Sequence, residues 1–161
     1  MSLKDQPKWE GKACAKLAGP KAAQVWPLLE DFFGLNKWFP TLTTCLAVEG
    51  LSGQPGAVRY CAGFKTPVNG GDEVVNWTKQ KLISISPSEM CFSYSIIDGN
   101  VGFNSYVSRV KVVPTEDGCD IEWAYEVEPV EGWKLEDLDC FIGSGLQVMA
   151  KRMVEHLQPT V

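Results

Sequence analysis

The sequence is poor in the side chains from which most protein metal sites are built. It contains one histidine, His156, and six cysteines, of which the closest pair, Cys45 and Cys61, is 16 residues apart. A CxxC motif and the usual spacings of Cys/His zinc sites are therefore absent. We expect neither a metal nor a cofactor, and we predict free thiols in a reducing, cytoplasmic environment.

The chain also has no basic stripe and no long apolar run. Lys and Arg total 15 against 20 Asp and Glu, which gives a formal net charge of −5. A nucleic-acid partner is not expected, because it would require a concentrated basic surface. No segment approaches the roughly 20 apolar residues of a membrane span, and residues 1–11 are too polar for a secretory signal. These features favour a cytoplasmic protein whose partner is a small molecule.

The size and composition suit one globular domain. The chain has 161 residues, of which 45% are hydrophobic and 22% charged. These fractions are typical of a soluble protein with a sizeable core. We predict a single domain over residues 1–161, with an ordered core over residues 8–158.

The last long segment, residues 133–157, has the apolar spacing of an amphipathic helix. Acidic residues fall in its first turns and basic residues in its last, which suits the helix dipole. Gly145 lies on its apolar stripe, where a missing side chain either packs closely against a strand or widens a hollow beneath the sheet. The other members of the stripe are spaced by three or four residues: Leu135, Leu138, Phe141, Ile142, Leu146, Met149, Met153, Val154 and Leu157.

Most of the preceding chain has the pattern of β-strands. Alternation predicts a first strand over residues 8–17, followed by a helix that starts at Pro20 and ends at Gly34, and by a short helix over residues 35–39. Six more strands are predicted over residues 43–49, 57–64, 73–85, 90–97, 103–113 and 120–128. Strands gathered in one run imply an α+β fold with a seven-stranded antiparallel sheet, curved around the last helix. A hollow between the sheet and the helix is the natural ligand site.

Three polar side chains are candidates for this hollow. Arg59 shares a strand face with small residues only, so an inward Arg59 would leave room for an oxyanion beside its guanidinium; the alternative is a surface arginine. Tyr106 shares a face with Val110 and Val112 and is either a ligand contact or a packed core residue. Gln80 can orient a ligand but carries no useful proton.

Candidate walls of the cavity are mainly aromatic, and ordinary core packing is the alternative for each of them. The loop over residues 65–71 is either a lid or a simple hairpin loop, and Glu122 and Glu126 are predicted to face solvent. The candidate wall residues are Trp38, Phe39, Phe64, Phe92, Tyr94, Trp123, Tyr125 and Met149.

An ordered series of short segments carries a family resemblance over residues 8–157. The segments are KWEGK (8–12), QVWPLLEDF (24–32), VEG (48–50), GAVRY (56–60), KL (81–82), FSY (92–94) and EG (131–132). The series resembles the lachrymatory factor synthase-like proteins of plants. They belong to the START-like (SRPBCC, polyketide cyclase/dehydrase) superfamily, which includes the birch-pollen allergens. The resemblance implies a helix-grip fold and a cavity that binds a hydrophobic or lipid-like ligand.

The resemblance also implies a catalytic arginine, tyrosine and glutamate that isomerise a small unsaturated sulfenic acid. The arginine matches Arg59 and the tyrosine matches Tyr106, but the glutamate falls at Gln80. A carboxylate is the usual proton carrier in such shifts. We therefore predict binding of a small hydrophobic ligand with a polar or anionic head near Arg59. The alternative is an isomerase or cyclase that uses the same cavity.

A hormone-sensing interaction protein is a lesser alternative. Residues 52–55 (SGQP) resemble the gate segment of the abscisic-acid receptors of the same superfamily. The segment precedes the Arg59 strand, whereas the receptor gate follows it. Residues 43–45 (TTC) also lack the lysine that those receptors use to hold a carboxylate.

Overall fold

The protein folds as a curved antiparallel sheet around one long helix. The computed structural model describes residues 7–39, 42–64 and 75–158. The elements, in chain order, are β1 (Trp9–Ala18), α1 (Ala22–Glu30), a 3-10 helix (Phe32–Lys37), β2 (Thr44–Glu49), β3 (Val58–Ala62), β4 (Trp77–Ser86), β5 (Cys91–Gly99), β6 (Val107–Thr115), β7 (Gly118–Val127) and α2 (Leu135–Leu157).

The sheet has seven strands in the order β1-β7-β6-β5-β4-β3-β2. Strands β2 to β7 pair with their neighbours along the chain, and β1 pairs antiparallel with β7 from Trp9↔Val127 to Ala18↔Gly118. This last pairing places the first strand beside the last, and β1 also contacts α2. The predicted α+β helix-grip fold is confirmed.

One face of the sheet and one stripe of α2 form the core. Trp123 and Tyr125 of β7 are buried, whereas Glu122, which precedes Trp123, lies on the outer face, where it forms an ion pair of 3.3 Å with Lys12. From α2, the buried side chains are Leu138, Leu146, Met149, Ala150 and Met153. The buried face of β7 and the apolar stripe of α2 therefore face each other, as the sequence pattern predicts.

Several predicted boundaries were wrong, mostly next to unusual backbone angles. Helix α1 begins after Lys21 and ends at Glu30, because Asp31 has non-helical angles (φ −70, ψ 77). The following turns form the 3-10 helix, which is kinked at Gly34 (φ −101, ψ 19). Strand β6 begins at Val107 because Gly102 (φ 93) and Ser105 (φ 55) turn the chain before it. The predicted lid, residues 65–71, and the predicted start of β4 at Glu73 lie outside the described residues.

Candidate functional site

A cavity of about 150 Å³ lies between the inner face of the sheet, the 3-10 helix region and α2. Its wall is mostly aromatic and aliphatic, so it suits an apolar ligand. The apolar wall consists of Leu35, Phe39, Leu42, Phe64, Tyr94, Ile96, Phe103, Tyr106, Trp123, Leu138, Phe141, Ile142 and Leu146.

A polar strip interrupts this wall on β3 and β4. Cys61, Thr78 and Gln80 line the cavity, and the sheet register places Cys61 opposite Thr78 and Arg59 opposite Gln80. The Gln80 amide donates a hydrogen bond to Thr78 Oγ1 (3.1 Å) and accepts one from Arg59 Nε (2.7 Å). Gln80 therefore joins the cavity surface to the arginine.

Arg59 is buried beside Gln80, on the neighbouring strand, and is absent from the cavity lining. It is 2% exposed, and Nη1 donates to the Phe32 carbonyl (2.8 Å). Its guanidinium carbon lies 3.9 Å from the Phe32 ring centroid and 5.1 Å from that of Tyr94. In the described part of the chain, Nη2 has no hydrogen-bond partner and no carboxylate pairs with Arg59. The site therefore contains a buried cation held by neutral acceptors and aromatic faces.

A hydrogen-bonded cluster of neutral side chains forms another part of the wall. Ser108 Oγ donates to the Tyr106 hydroxyl (2.7 Å) and accepts a hydrogen bond from Trp123 Nε1 (3.1 Å). Burial raises the pKa of Tyr106 well above its ordinary value, and burial also raises the pKa of Tyr94. Both phenols consequently remain protonated at neutral pH and act as hydrogen-bonding groups.

The structure places the predicted wall residues at different depths. Gln80, Tyr94, Tyr106, Trp123, Phe64 and Phe39 line the cavity, whereas Arg59, Trp38, Phe92, Tyr125 and Met149 are absent from its lining. All five of these absent residues were predicted to point inward. Whether an inward side chain reaches the cavity wall also depends on how deep it lies in the core, and strand alternation does not encode that depth.

Packing partners explain the positions of these deeper residues. Phe92 packs against Trp26 and Phe32, with centroid distances of 6.2 and 6.3 Å. Trp38 contacts the edge of His156 (5.3 Å), and the Tyr125 hydroxyl donates to Asp139 (3.0 Å). Met149, which is fully buried on α2, belongs to the core.

Gly145 both lines the cavity and makes room for an aromatic ring. A Cβ at this position would lie 2.8 Å from Phe39 Cε1, closer than packed carbon atoms approach. The predicted close packing is therefore against Phe39 and not against a strand. The polar strip residues Cys61 and Thr78 were not among the predicted site residues, although their strand faces are those of Arg59 and Gln80.

A second hollow, of about 260 Å³, adjoins the cavity at the loop between β5 and β6. It shares Thr78, Ile96 and Phe103 with the wall of the first cavity. The two hollows therefore meet at these three side chains.

Fold and cavity together define a helix-grip protein with an internal hydrophobic site. The chain belongs to the polyketide cyclase / dehydrase and lipid transport family, whose sequence profile matches residues 19–159. Within the described residues, no helix is long and apolar enough to cross a membrane.

Solved structures with a similar fold come from plants and bacteria. Ginseng (Panax ginseng) major latex-like protein 151 superposes with a TM-score of 0.73 at 18% identity, covering 94% of this chain and 99% of that one. The protein XoxI from Bacillus cereus gives 0.68 at 20% identity, covering 94% and 95%. A protein from Thermobifida fusca gives 0.68 at 21% identity, covering 96% and 97%. At these identities the likeness shows the fold alone.

Proposed function

We propose that the protein binds a small, mainly apolar ligand whose polar or anionic head points toward Gln80 and Arg59. The observation that carries this proposal is a largely apolar cavity with a polar strip, in which Gln80 is hydrogen-bonded to a buried arginine without a carboxylate partner among the described residues. Membership of a family described by polyketide chemistry and lipid transport supports a hydrophobic ligand in general.

The electrostatics of Arg59 favour an anionic head. A buried cation has lost most of its hydration, and neutral acceptors compensate that loss only in part. A carboxylate or another oxyanion near Gln80 would supply the missing opposite charge. Gln80 Oε1 already accepts from Arg59 and one N–H of Gln80 Nε2 donates to Thr78, so the second N–H of Nε2 remains to donate to a ligand.

Isothermal titration calorimetry with hexanoate and hexan-1-ol tests the proposal, because the two probes share an apolar chain and differ in the head. We expect hexanoate to bind at least about tenfold more tightly, a difference of about 1.4 kcal/mol. Equal affinity of the two probes would refute the anionic head, and no binding of either would refute the site.

A blocking variant ties this binding to the cavity. Gly145→Leu places a side chain against Phe39 at the cavity wall, whereas a Cβ at Gly143 meets no atom within 4 Å. We expect Gly145→Leu to abolish hexanoate binding and Gly143→Leu, on the same helix, to retain it. Equal loss in both variants, with both folded by circular dichroism, would argue against the cavity as the binding site.

The finer proposal is a lachrymatory factor synthase-like site that lacks its proton carrier. The resemblance places the glutamate at Gln80, and no Asp, Glu or His lines the cavity among the described residues. An isomerase or cyclase is the second candidate, because Gln80 and Tyr106 do line the same cavity. The Gln80→Glu experiment described in the Discussion separates the two.

A hormone-sensing role has less support. Ser52, in the gate-like segment, accepts a hydrogen bond from the Phe32 amide (3.0 Å). This contact gives the segment a structural role at the 3-10 helix. A ligand-dependent pull-down with hexanoate present and absent tests for a gated partner.

A further inference from the structure

Cys45 and Cys61 face each other across the edge of the sheet. They are directly opposed in the β2–β3 ladder, both are free thiols, and their sulfur atoms are 4.0 Å apart. Opposed residues of antiparallel strands have Cα atoms about 4.5–5.5 Å apart, which falls inside the range of about 4.4–6.8 Å found in disulfides. The backbone is therefore already placed for a bond between the two sulfurs.

The two thiols differ in environment. Cys45 is half-buried on the edge strand, whereas Cys61 is 1% exposed and lines the cavity. The hydrogen bond from Cys61, the charge of Arg59 and the backbone amides of Leu35 and Asn36 lower the pKa of Cys45, against the effect of burial. The hydrogen bond to Cys45 and burial raise the pKa of Cys61. Both the greater exposure of Cys45 and the direction of these pKa shifts favour Cys45 as the thiol of the pair that reacts first.

We propose that Cys45 and Cys61 form a peroxide-reactive dithiol, in which Cys45 is the oxidised nucleophile and Cys61 the resolving thiol at the cavity wall. This activity is separate from ligand binding and does not depend on the proposed function. The partial exposure of Cys45 allows a small hydroperoxide to reach its sulfur. The burial of Cys61 keeps the peroxide away from that thiol, which reacts only with the oxidised Cys45.

The chemistry balances with the hydroperoxide as the oxidant. The Cys45 thiolate attacks one oxygen of hydrogen peroxide, the O–O bond breaks, and Cys45 becomes a sulfenic acid as hydroxide leaves; this hydroxide takes up the proton that the Cys45 thiol released on ionisation and becomes the first water. The Cys61 sulfur then attacks the Cys45 sulfur, the S–O bond breaks, and the Cys61 proton leaves with the hydroxyl as water. Two thiols are oxidised to one disulfide, and one peroxide is reduced to two waters.

Selective alkylation tests the nucleophile. We expect limiting iodoacetamide at neutral pH to label Cys45 at least about tenfold faster than Cys14, although Cys14 is the more exposed. Partial burial and the nearby carboxylates Asp120 and Glu122 raise the pKa of Cys14. Exposure alone therefore predicts faster labelling of Cys14, whereas thiolate character predicts faster labelling of Cys45. Faster labelling of Cys14 than of Cys45 would overturn the assignment of the nucleophile.

Peptide mapping tests the disulfide. After treatment with one equivalent of hydrogen peroxide, we expect loss of two of the six thiols and a cross-linked peptide containing Cys45 and Cys61. Cys61→Ser should instead accumulate a sulfenic acid on Cys45 that dimedone traps, and Cys45→Ser should leave Cys61 unmodified. Cys14→Ser is the control and should behave as the wild type. Disulfides that join other cysteines, or only separate chains, would overturn the proposal; Cys61→Ala replaces Cys61→Ser if the serine variant does not fold.

Discussion

At the scale of single residues, Arg59 is the most unusual feature of the molecule. Charged side chains are rarely fully buried unless a group of opposite charge pairs with them. Arg59 instead contacts an amide, a backbone carbonyl and two aromatic rings. An arrangement of this kind contributes little to stability by itself, because desolvation offsets most of the gain. A role in binding therefore explains its presence better than a role in folding does.

Replacement of Arg59 by methionine separates these two roles. Methionine keeps an unbranched chain against Phe32 and Tyr94 and removes the charge. We expect hexanoate binding to weaken by about 1.5–3 kcal/mol, while the melting temperature stays the same or rises. Arg109→Met, on the exposed face of β6, is the matched control. Unchanged hexanoate affinity in calorimetry would refute the anchoring role.

The Gln80→Glu variant tests the missing proton carrier. The resemblance predicts that wild-type protein isomerises a small unsaturated sulfenic acid about 10²–10⁴-fold more slowly than a protein with a carboxylate would. We expect Gln80→Glu to raise the rate of product formation and Gln54→Glu, in an exposed turn, to leave it unchanged. Robust wild-type turnover would contradict the prediction that binding is the main activity.

The sequence predicted the face of each site residue better than its depth. Alternation along β3 favoured an inward Arg59 only together with the resemblance, and Arg59 does lie inside. Gln80 and Arg59 are opposed in the ladder, yet only Gln80 reaches the cavity. Side-chain rotamers in a packed interior decide this difference, and they depend on neighbours such as Phe32 that are distant in sequence.

At the scale of elements, the middle of α2 contains two glycines with different surroundings. A Cβ at Gly143 meets open space, and a Cβ at Gly145 meets the Phe39 ring. Glycine inside a helix costs about 0.5–1 kcal/mol relative to alanine. Only at Gly145 does close packing, against the Phe39 ring, explain why a glycine occupies the position.

Alanine at each position therefore has a different expected result. Gly143→Ala should raise the free energy of unfolding by about 0.5–1 kcal/mol. Gly145→Ala should gain less or lose stability, because its Cβ forces the Phe39 ring to move. Urea denaturation measures both variants. An equal gain in the two would show that Phe39 does not restrict Gly145.

The short elements were harder to predict than the long ones. The pattern of α2 over residues 133–157 is close to the observed Leu135–Leu157, because six turns of regular spacing average out local exceptions. The segment between Glu30 and Lys37 instead depends on the backbone angles of Gly34 and Asp31, which the sequence does not reveal.

At the scale of the whole molecule, buried phenols link stability to pH. Burial raises the pKa of both Tyr94 and Tyr106 above the ordinary value of 10.0. As the pH rises past that value, the unfolded chain releases these protons and the folded chain keeps them. The folded state is thus favoured fully below pH 10, and this contribution is lost as the pH rises above it.

Denaturation on both sides of pH 10 checks this linkage. We expect the free energy of unfolding of the wild type to fall as the pH rises, and Tyr106→Phe to show a shallower fall. The variant should also lose about 1 kcal/mol at neutral pH, because the Ser108 hydroxyl loses its acceptor. Identical slopes in the two proteins would exclude Tyr106 as a source of the pH dependence.

The overall fold was predictable because many weak signals agree. Strand alternation, turn residues and the α2 stripe together fix the element order, and neighbouring strands then pair as hairpins. The β1–β7 pairing is different in kind, since it joins Trp9 to Val127 across most of the chain. Local patterns do not encode such a contact, and the pairing of β1 with β7 was not predicted from the sequence.

The two edges of the sheet are protected unequally, and this has a consequence for behaviour in concentrated solution. At β1, Gln147 of α2 donates to the Cys14 carbonyl (3.0 Å), and Lys12 and Lys16 add charge. At β2, whose neighbour in the described sheet is β3 alone, Leu46 is 57% and Val48 44% exposed. An apolar edge of this kind is a template for pairing with another chain.

We expect Val48→Lys to reduce light scattering at high concentration, because a charged side chain on an edge strand opposes intermolecular pairing. Val48 lies at the irregularity between Ala47 and Glu49, so the change leaves the paired residues of the ladder in place. Val75→Lys adds the same charge outside the strands and should have a smaller effect. Such a result would show that the β2 edge, which also contains Cys45, limits the solubility of the protein at high concentration.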